Sequence, residues 1–180
     1  MKITPLRIPD VKLIYPKVIE DSRGYFYESY HKEIFASNGI AADFLQDNQS
    51  LSGKNILRGL HFQVPPYEQG KLVRVISGAV LDVAVDLRKK SPWYGQYVSE
   101  IISGKNKLMM WIPPGFAHGF LTLEDENIFF YKCTSYYNRE SERVILWNEP
   151  ELAIDWGVAS PVISDRDKQG MPFRSFDGIF

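Results

Sequence analysis

The sequence has little cysteine, little histidine and almost no net charge. Cys133 is the single cysteine among 180 residues, so the chain can form no internal disulfide and has no paired thiols for a zinc knuckle. We expect a buried strand thiol in a reducing compartment. The formal net charge of -1 provides no broad basic field for a polyanion, which argues against nucleic acid as a partner.

Long apolar runs are also missing. No segment approaches the roughly 20 apolar residues that are needed to cross a bilayer. Residues 1–18 mix charged, proline and apolar side chains, whereas a signal peptide has one continuous apolar block. We therefore expect a cytoplasmic protein with no membrane partner.

The helical signal is thin, and the composition favours strands. Residues 31–38 can form about two helical turns before Gly39, which suits a left-handed C-terminal cap, and no other helix is predicted. Elsewhere short β-branched and aromatic runs alternate with glycine and proline. With 44% hydrophobic residues, we expect residues 1–180 to form one domain, in which residues 148–180 pack over a barrel as a C-terminal tail.

The predicted strands are short and closely spaced. The turns at Ser77-Gly78 and Ser103-Gly104 predict hairpins, so neighbouring strands should pair antiparallel. Such strands favour an all-β fold, a double-sheet jelly roll. The segment 113–115 (PPG) should break the sheet before the next strand. The predicted strands cover residues 25–30, 71–76, 79–87, 97–103, 107–111, 119–123 and 128–136.

The chain has only three histidines, and histidine is the side chain best suited to exchange a proton near neutral pH. His31 lies on the predicted helix and is interpreted as a surface residue. His61 and His118 lie near predicted strands, where a single histidine is more often structural than catalytic. Phe62-Gln63 follows His61, so the chain lacks the His-x-His pair with which jelly rolls normally hold a catalytic metal. No metal site is predicted.

Lys71 and Tyr131 are candidates on strand faces. Lys71 points with Val73 and Val75, because strand residues two apart share a face. Burying an unpaired ammonium is costly, so Lys71 either meets an anionic group of a ligand or lies at the barrel rim in water, and the pattern leaves both readings open. Tyr131 shares the face of Cys133, either as a proton donor or as core packing with one hydrogen bond.

Seven segments occur together in a characteristic order: DSRGYFYESY, FLQDNQS, LRGLHFQ, QGKLVRV, DVAVDLRKKSPWYGQ, WIPPGFAHGF and YKCTSYYNRESE. From about residue 8 to residue 167, this order resembles the dTDP-4-dehydrorhamnose 3,5-epimerase family. The resemblance implies a cupin-type jelly roll that forms a homodimer and needs no metal or other cofactor. It also implies epimerisation of dTDP-4-dehydro-6-deoxy-D-glucose at carbons 3 and 5, which gives dTDP-4-dehydro-L-rhamnose.

The resemblance implies catalytic roles for four residues. His61 in LRGLHFQ matches the base, and Tyr131 in YKCTSYY matches the proton donor. Asp167 in ISDRD matches the carboxylate that pairs with the histidine, and Lys71 in QGKLV matches the lysine near the substrate ketone. Further residues match contacts to the dTDP-sugar: Arg23, Phe26, Glu28, Gln46, Asn48, Arg58, His118, Tyr137, Glu142 and Arg166.

The resemblance implies a specific position for two of these contact residues. Tyr137 matches the aromatic residue that stacks on thymine, and Arg23 is expected to reach across from the partner subunit. The chain also departs from the family pattern. Arg166 stands where lysine is common, Ser135 replaces a more usual Asp or Asn, and residues 64–69 form a variable loop. These departures bear on substrate detail rather than on the chemistry.

Three rival functions stay open. An epimerase of the same fold can invert carbon 3 alone. A non-catalytic sugar-nucleotide-binding cupin would keep Arg58 and Tyr137 but would have no use for a complete set of base, carboxylate and acid. A metal-dependent cupin oxygenase is the third rival, and the missing His-x-His pair weighs against it.

Overall fold

The computed structural model describes residues 1–180, and fourteen short strands form two facing sheets and a separate ribbon. The first sheet has the order β1 (Lys2–Pro5), β2 (Lys12–Tyr15), β10 (Met109–Ile112), β7 (Lys71–Ser77), β12 (Asn127–Cys133), β5 (Gln46–Ser52). The second has the order β13 (Glu142–Val144), β6 (Ile56–Gln63), β11 (Phe116–Thr122), β8 (Ala79–Asp86), β9 (Tyr97–Ser103). A short strand β14 (Val162–Ile163) runs parallel to β6. The fold is the expected all-β, cupin-type jelly roll.

The two predicted hairpins are wrong, although both turns exist. β7 and β8 belong to different sheets, as do β9 and β10, so the chain crosses between sheets at Gly78 and Gly104. The N–H of Gly104 donates to the carbonyl of Gly78 at 2.9 Å, which joins the two crossings. Gly78 has a φ of +79°, a conformation that favours glycine. The turn residues therefore predict where the chain reverses direction. They do not predict which strand each apolar run pairs with.

The predicted strand 25–30 is also wrong beyond residue 26. β3 (Ile19–Asp21) and β4 (Gly24–Phe26) form a two-stranded ribbon that pairs with neither sheet. Residues 27–30 are irregular, and the Tyr30 ring packs edge-on against Phe35 at 5.0 Å. The aromatic run that suggests a strand instead anchors the helix that follows.

The predicted helix is confirmed as α1 (Lys32–Ser37). His31 caps its N-terminus, and Gly39 follows it with a φ of +78°. Two short elements were not predicted, a helical turn α2 (Asp165–Lys168) and a 3₁₀ turn at Phe173–Ser175. Neither α1 nor the shorter helical turns have the length and apolar character of a membrane span.

Three apolar clusters account for the layering. The one between the sheets includes Val73, Phe120 and Phe129. α1 covers the outer face of the first sheet through Phe35. The third cluster lies on the outer face of the second sheet, which residues of the C-terminal tail cover. Its members from β6 and from the tail include Leu57, Leu60, Phe62, Leu152, Trp156, Phe173 and Phe176. Burying each of these large side chains contributes about 1.5–3 kcal/mol, so the second sheet is held from both faces.

Candidate active site

A cavity of about 400 Å³ opens at one end of the roll, where strands of both sheets meet. β5, β7 and β12 contribute residues from the first sheet, and β6 and β13 contribute residues from the second. Phe62, Gln63 and Gln69 complete the wall. Seven of the residues predicted from the sequence line this cavity: Gln46, Asn48, His61, Lys71, Tyr131, Tyr137 and Glu142.

His61 and Asp167 form a hydrogen-bonded pair at the cavity. The His61 Nε2 lies 2.7 Å from Asp167 Oδ1, and the N–H of Gly59 donates to Asp167 Oδ2 at 3.3 Å. Burial opposes the charge of Asp167, but the hydrogen bonds from His61, Gly59 and Ser164 outweigh it, so the pKa of Asp167 lies below its usual value. The His61 side chain is 30% exposed and Asp167 only 4%. A solvent-facing imidazole is thus backed by a buried carboxylate.

The backbone of β6 is irregular at Gly59, and this irregularity aims His61. Gly59 has a φ of +139°, and a Cβ there would lie 2.5 Å from the Cα of Gly119 on β11. The ladder between β6 and β11 shifts register at the same place. As a result Leu57 and Leu60, three residues apart, both pack on the outer face. His61 can therefore point inward instead of following the strict alternation of a regular strand.

Tyr131 and Lys71 lie on neighbouring strands at the same cavity. Burial raises the pKa of the Tyr131 phenol to about 12, so the hydroxyl keeps its proton at neutral pH. The Lys71 Nζ lies 6.0 Å from the centre of the Tyr131 ring. Burial lowers the pKa of Lys71, and its ammonium makes no hydrogen bond or ion pair with the protein. Lys71 therefore lines the cavity without an anionic partner from its own chain.

The cavity mouth carries a linked set of polar groups. The Tyr137 hydroxyl donates to Glu142 Oε2 at 2.7 Å, and Arg166 forms an ion pair with the same carboxylate. The backbone N–H of Tyr137 donates to Gln46 at 2.8 Å, and Gln46 donates to Asn48 at 2.9 Å. Tyr137 as a whole residue is 51% exposed, so its side chain is accessible at the cavity mouth.

Two predicted contact residues lie close to the cavity without lining it. Arg58, on β6, donates to Ser52 Oγ at 3.0 and 3.2 Å. His118 is buried, and its Nε2 lies 3.0 Å from both carboxylate oxygens of Asp82. Sequence reasoning missed Asp82. Its signal was an acidic residue in the middle of an apolar run, Val80 to Val85, where a carboxylate requires a buried partner.

Three predicted contact residues lie elsewhere in the same chain. Arg23 and Phe26 belong to the ribbon of β3 and β4, and Glu28 follows it on the surface. The Arg23 side chain is 88% exposed and pairs with Asp21 at 2.5 Å, and Phe26 is 69% exposed. A single copy of the chain therefore does not bring these residues to the cavity.

The side chains that line the cavity do not form a metal site. No group of three or more His, Cys, Asp or Glu side chains in the structure has the geometry to hold a metal ion. The available chemistry is that of an imidazole with a carboxylate behind it, a neutral phenol and an unpaired ammonium around one space. This set suits removal and return of a proton beside a carbonyl group.

Comparison with known proteins gives consistent results. The family model described as dTDP-4-dehydrorhamnose 3,5-epimerase matches residues 5–175. The dTDP-4-dehydrorhamnose 3,5-epimerase of Pseudomonas aeruginosa is 50% identical over 179 residues, which cover 98% of each chain.

Solved structures agree over nearly the whole chain. The crystal structure of dTDP-6-deoxy-D-glucose-3,5-epimerase from Legionella pneumophila, in complex with dTDP-4-keto-L-rhamnose, has a TM-score of 0.94 and 47% identity, covering 98% of this chain and 94% of that one. A 3'-monoepimerase from Streptomyces bikiniensis in complex with dTDP-quinovose has a TM-score of 0.88 and 30% identity, with coverages of 95% and 87%. This chain belongs to the dTDP-4-dehydrorhamnose 3,5-epimerase family.

Proposed function

We propose that this protein is a dTDP-4-dehydrorhamnose 3,5-epimerase, which converts dTDP-4-dehydro-6-deoxy-D-glucose into dTDP-4-dehydro-L-rhamnose. The observation that carries the proposal is one cavity lined by His61, Tyr131 and Lys71, with Asp167 bonded to the histidine. The relatives of 47–50% identity that bear this activity in their names support it.

His61 acts as the base. Hydrogens on the carbons beside a ketone are only weakly acidic, so their removal needs a positioned acceptor. When His61 takes the proton it becomes an imidazolium, and the buried Asp167 carboxylate stabilises that cation and fixes the tautomer. The lowered pKa of Asp167 keeps this carboxylate ionised at neutral pH.

Lys71 stabilises the enolate. Loss of the carbon-bound proton moves negative charge to the oxygen at carbon 4, and the ammonium of Lys71 has no protein partner to compete for it. A preorganised cation in a partly dry cavity is the arrangement that lowers the barrier of such a step. No redox or organic cofactor is required for this chemistry.

Tyr131 returns the proton. Inversion requires delivery to the ring face opposite the base, and a phenol with a pKa of about 12 is protonated and able to donate at neutral pH. Proton removal and delivery at carbon 3, and again at carbon 5, then invert both centres without net oxidation or reduction.

The mouth of the cavity binds the nucleotide. Tyr137 stacks on the thymine ring, while Gln46, Asn48 and Glu142 contact the dTDP-sugar. Arg58, His118 and Arg166, which lie close to the cavity without lining it, provide further contacts to the ligand. Binding energy from the nucleotide orients the ring at the reacting centre.

We also infer that the working unit is a homodimer in which the ribbon of one copy reaches the cavity of the other. The ribbon pairs with neither sheet of its own chain, and its apolar residues Ile19 and Phe26 are 54% and 69% exposed. Arg23 and Glu28 would then complete the partner's nucleotide site. Residues 1–180 act as one domain, with residues 148–180 as its tail, and we place the protein in the cytoplasm.

A complementation experiment tests the dimer. Arg23→Ala and His61→Ala are each expected to be nearly inactive alone, since each lacks one essential group. In a mixed dimer, the copy with intact His61 receives Arg23 from the other copy, so mixing restores activity at one of the two sites. A mixture no more active than its components would show that Arg23 acts within its own chain or not at all.

The second candidate function is epimerisation at carbon 3 alone. It is favoured by one observation, the close structural match to a 3'-monoepimerase. Incubating the wild-type protein with dTDP-4-dehydro-6-deoxy-D-glucose in heavy water, with no reductase present, separates the two functions. Deuterium at both carbon 3 and carbon 5 supports the 3,5-epimerase, deuterium at carbon 3 alone supports the rival, and no deuterium at either position refutes both.

A further inference from the structure

Tyr137 stands at the cavity mouth on a segment that has no regular structure. Residues 134–141 join β12 to β13 and form neither strand nor helix. The backbone N–H of Tyr137 donates to the side chain of Gln46 at 2.8 Å, and its hydroxyl donates to Glu142 at 2.7 Å. Side chains therefore hold this part of the mouth where a strand ladder would otherwise do so.

Gln63, the last residue of β6, holds the same segment on both sides of Tyr137. Its Nε2 donates to the carbonyl of Tyr136 at 3.1 Å, and its Oε1 accepts the N–H of Asn138 at 2.7 Å. The second hydrogen of the amide goes to the carbonyl of Tyr67 at 2.5 Å. Gln63 is only 4% exposed, so these bonds are shielded from competing water.

A primary amide matches these three partners, and other polar groups do not. It offers two N–H donors for two carbonyl oxygens and one carbonyl oxygen for one N–H donor. The reversed amide would turn its oxygen toward two carbonyl oxygens, so the partners fix its orientation. Both hydrogens of the Gln63 amide are thus bound within the protein, and neither is left to donate to a ligand.

The same amide joins three parts of the cavity wall. Gln63 follows His61 by two residues on β6, and Glu142 lies opposite Gln63 in the ladder with β13. Tyr67 belongs to the loop of residues 64–69, whose sequence departs from the family pattern. The strand that carries the proposed base therefore also fixes the segment that carries Tyr137.

We propose that Gln63 is a positioning residue for nucleotide binding, a role that rests on the proposed function. Gln63 holds the backbone on either side of Tyr137, so that the ring is in place for stacking before the nucleotide arrives. The cost of ordering this segment is then met during folding and does not reduce the binding free energy. Gln63 acts through Tyr137 and has no part in the proton transfers.

The test is Gln63→Met, which keeps the length of the side chain and removes all three hydrogen bonds. The matched control is Gln96→Met, because Gln96 is a partly buried glutamine that bonds Arg7 at 2.9 Å away from the cavity. We expect the dTDP affinity of Gln63→Met, measured by calorimetry, to fall at least about fivefold. KM for the dTDP-sugar should rise by the same factor while kcat stays within about twofold, and the control should change neither. Wild-type affinity in Gln63→Met would overturn the proposal.

A double-mutant cycle tests whether Gln63 acts through Tyr137. In the Tyr137→Ala background there is no ring left to position, so Gln63→Met should lower dTDP affinity by less than about twofold. An equal loss in both backgrounds would show that Gln63 affects the nucleotide independently of Tyr137, and the proposal would be wrong.

Hydrogen exchange without ligand separates this proposal from the proposed function. The N–H of Asn138 should exchange at least about tenfold faster in Gln63→Met than in the wild type, and at the wild-type rate in Gln96→Met. Unchanged exchange would refute the hold of Gln63 on this segment, whatever the protein binds. A wild type that exchanges as expected but does not bind dTDP would instead refute the proposed function.

A second variant serves if Gln63→Met does not fold. Gln63→Glu keeps the size of the side chain and the acceptor for Asn138, but it directs a carboxylate oxygen toward the carbonyls of Tyr67 and Tyr136. The same loss of dTDP affinity is expected. Affinity equal to that of the wild type would overturn the proposal, because it would mean that the two donated hydrogen bonds do not position Tyr137.

Discussion

Replacing Asp167 by asparagine tests the histidine–carboxylate pair most directly. Two unit charges about 4 Å apart attract by about 4 kcal/mol at an effective dielectric constant of about 20. His61 is 30% exposed to the cavity, so we discount this attraction to about 2 kcal/mol, which corresponds to roughly a 30-fold loss of kcat. The amide adds a second cost. If its oxygen accepts from His61, its NH₂ group faces the N–H of Gly59, where the carboxylate now accepts at 3.3 Å.

The assay is the initial rate of deuterium incorporation from heavy water into the sugar, with dTDP affinity measured separately by calorimetry. Asp165→Asn is the matched control, because Asp165 lies on the same helical turn but is 91% exposed and pairs only with Lys168. We expect dTDP affinity to stay within about twofold in both variants, with the rate lost only in Asp167→Asn. Equal rates in the two variants would refute the argument that Asp167 stabilises the imidazolium.

Four further outcomes are expected. His61→Ala abolishes deuterium incorporation at both carbons while leaving dTDP binding largely intact, and undiminished incorporation would reject His61 as the base. Tyr131→Phe still permits some incorporation but yields little inverted product, and full product formation would reject Tyr131 as the acid. Tyr137→Ala weakens dTDP binding by about 1–3 kcal/mol, the usual range for a base stacked on an aromatic ring, and unchanged calorimetric affinity would exclude stacking. The pKa of Asp167 is lower in the folded than in the unfolded protein, so the stability from this carboxylate is present above about pH 4 and is lost as pH falls through the folded-state pKa. In denaturant unfolding, the free energy of unfolding of the wild type should therefore fall at acid pH by an amount that Asp167→Asn does not show. Parallel pH profiles of the two proteins would contradict a stabilising role of the Asp167 carboxylate.

The sequence predicts strands better than it predicts their pairing. Apolar patterning and glycine locate β7, β8 and β9 almost to the residue, because short apolar and β-branched runs bounded by turn residues are typical of strands. Alternation carries no information on which strands are neighbours. The crossings at Gly78 and Gly104 have the local signature of hairpins, and only packing between the two sheets makes them connections between layers. Strands β5 and β6, which follow one another in the chain but belong to different sheets, were missed because polar residues interrupt their pattern.

The site was predictable to the extent that its residues occupy characteristic short segments. Lys71 and Tyr131 stand out as polar groups in predicted strands, His61 stands out as one of only three histidines, and the resemblance to the family supplied Asp167. Composition and spacing could not pair His61 with Asp167, because 106 residues separate them along the chain. The partnership of Asp82 with His118 was equally invisible, since it depends on β8 and β11 being neighbours in the second sheet.

The position of Asp167 explains why the tail belongs to the site as well as to the core. β14 pairs with β6 through Ile163 and Leu57, and the helical turn α2 begins two residues later with Asp165. Ser164 caps this turn by accepting the N–H of Asp167, which directs the carboxylate back onto β6. The second sheet is packed on both faces, so β6 offers a rigid strand against which the tail sets the histidine–carboxylate distance. The same burial that stabilises the fold thereby removes the freedom of the two groups that must meet within hydrogen-bond reach.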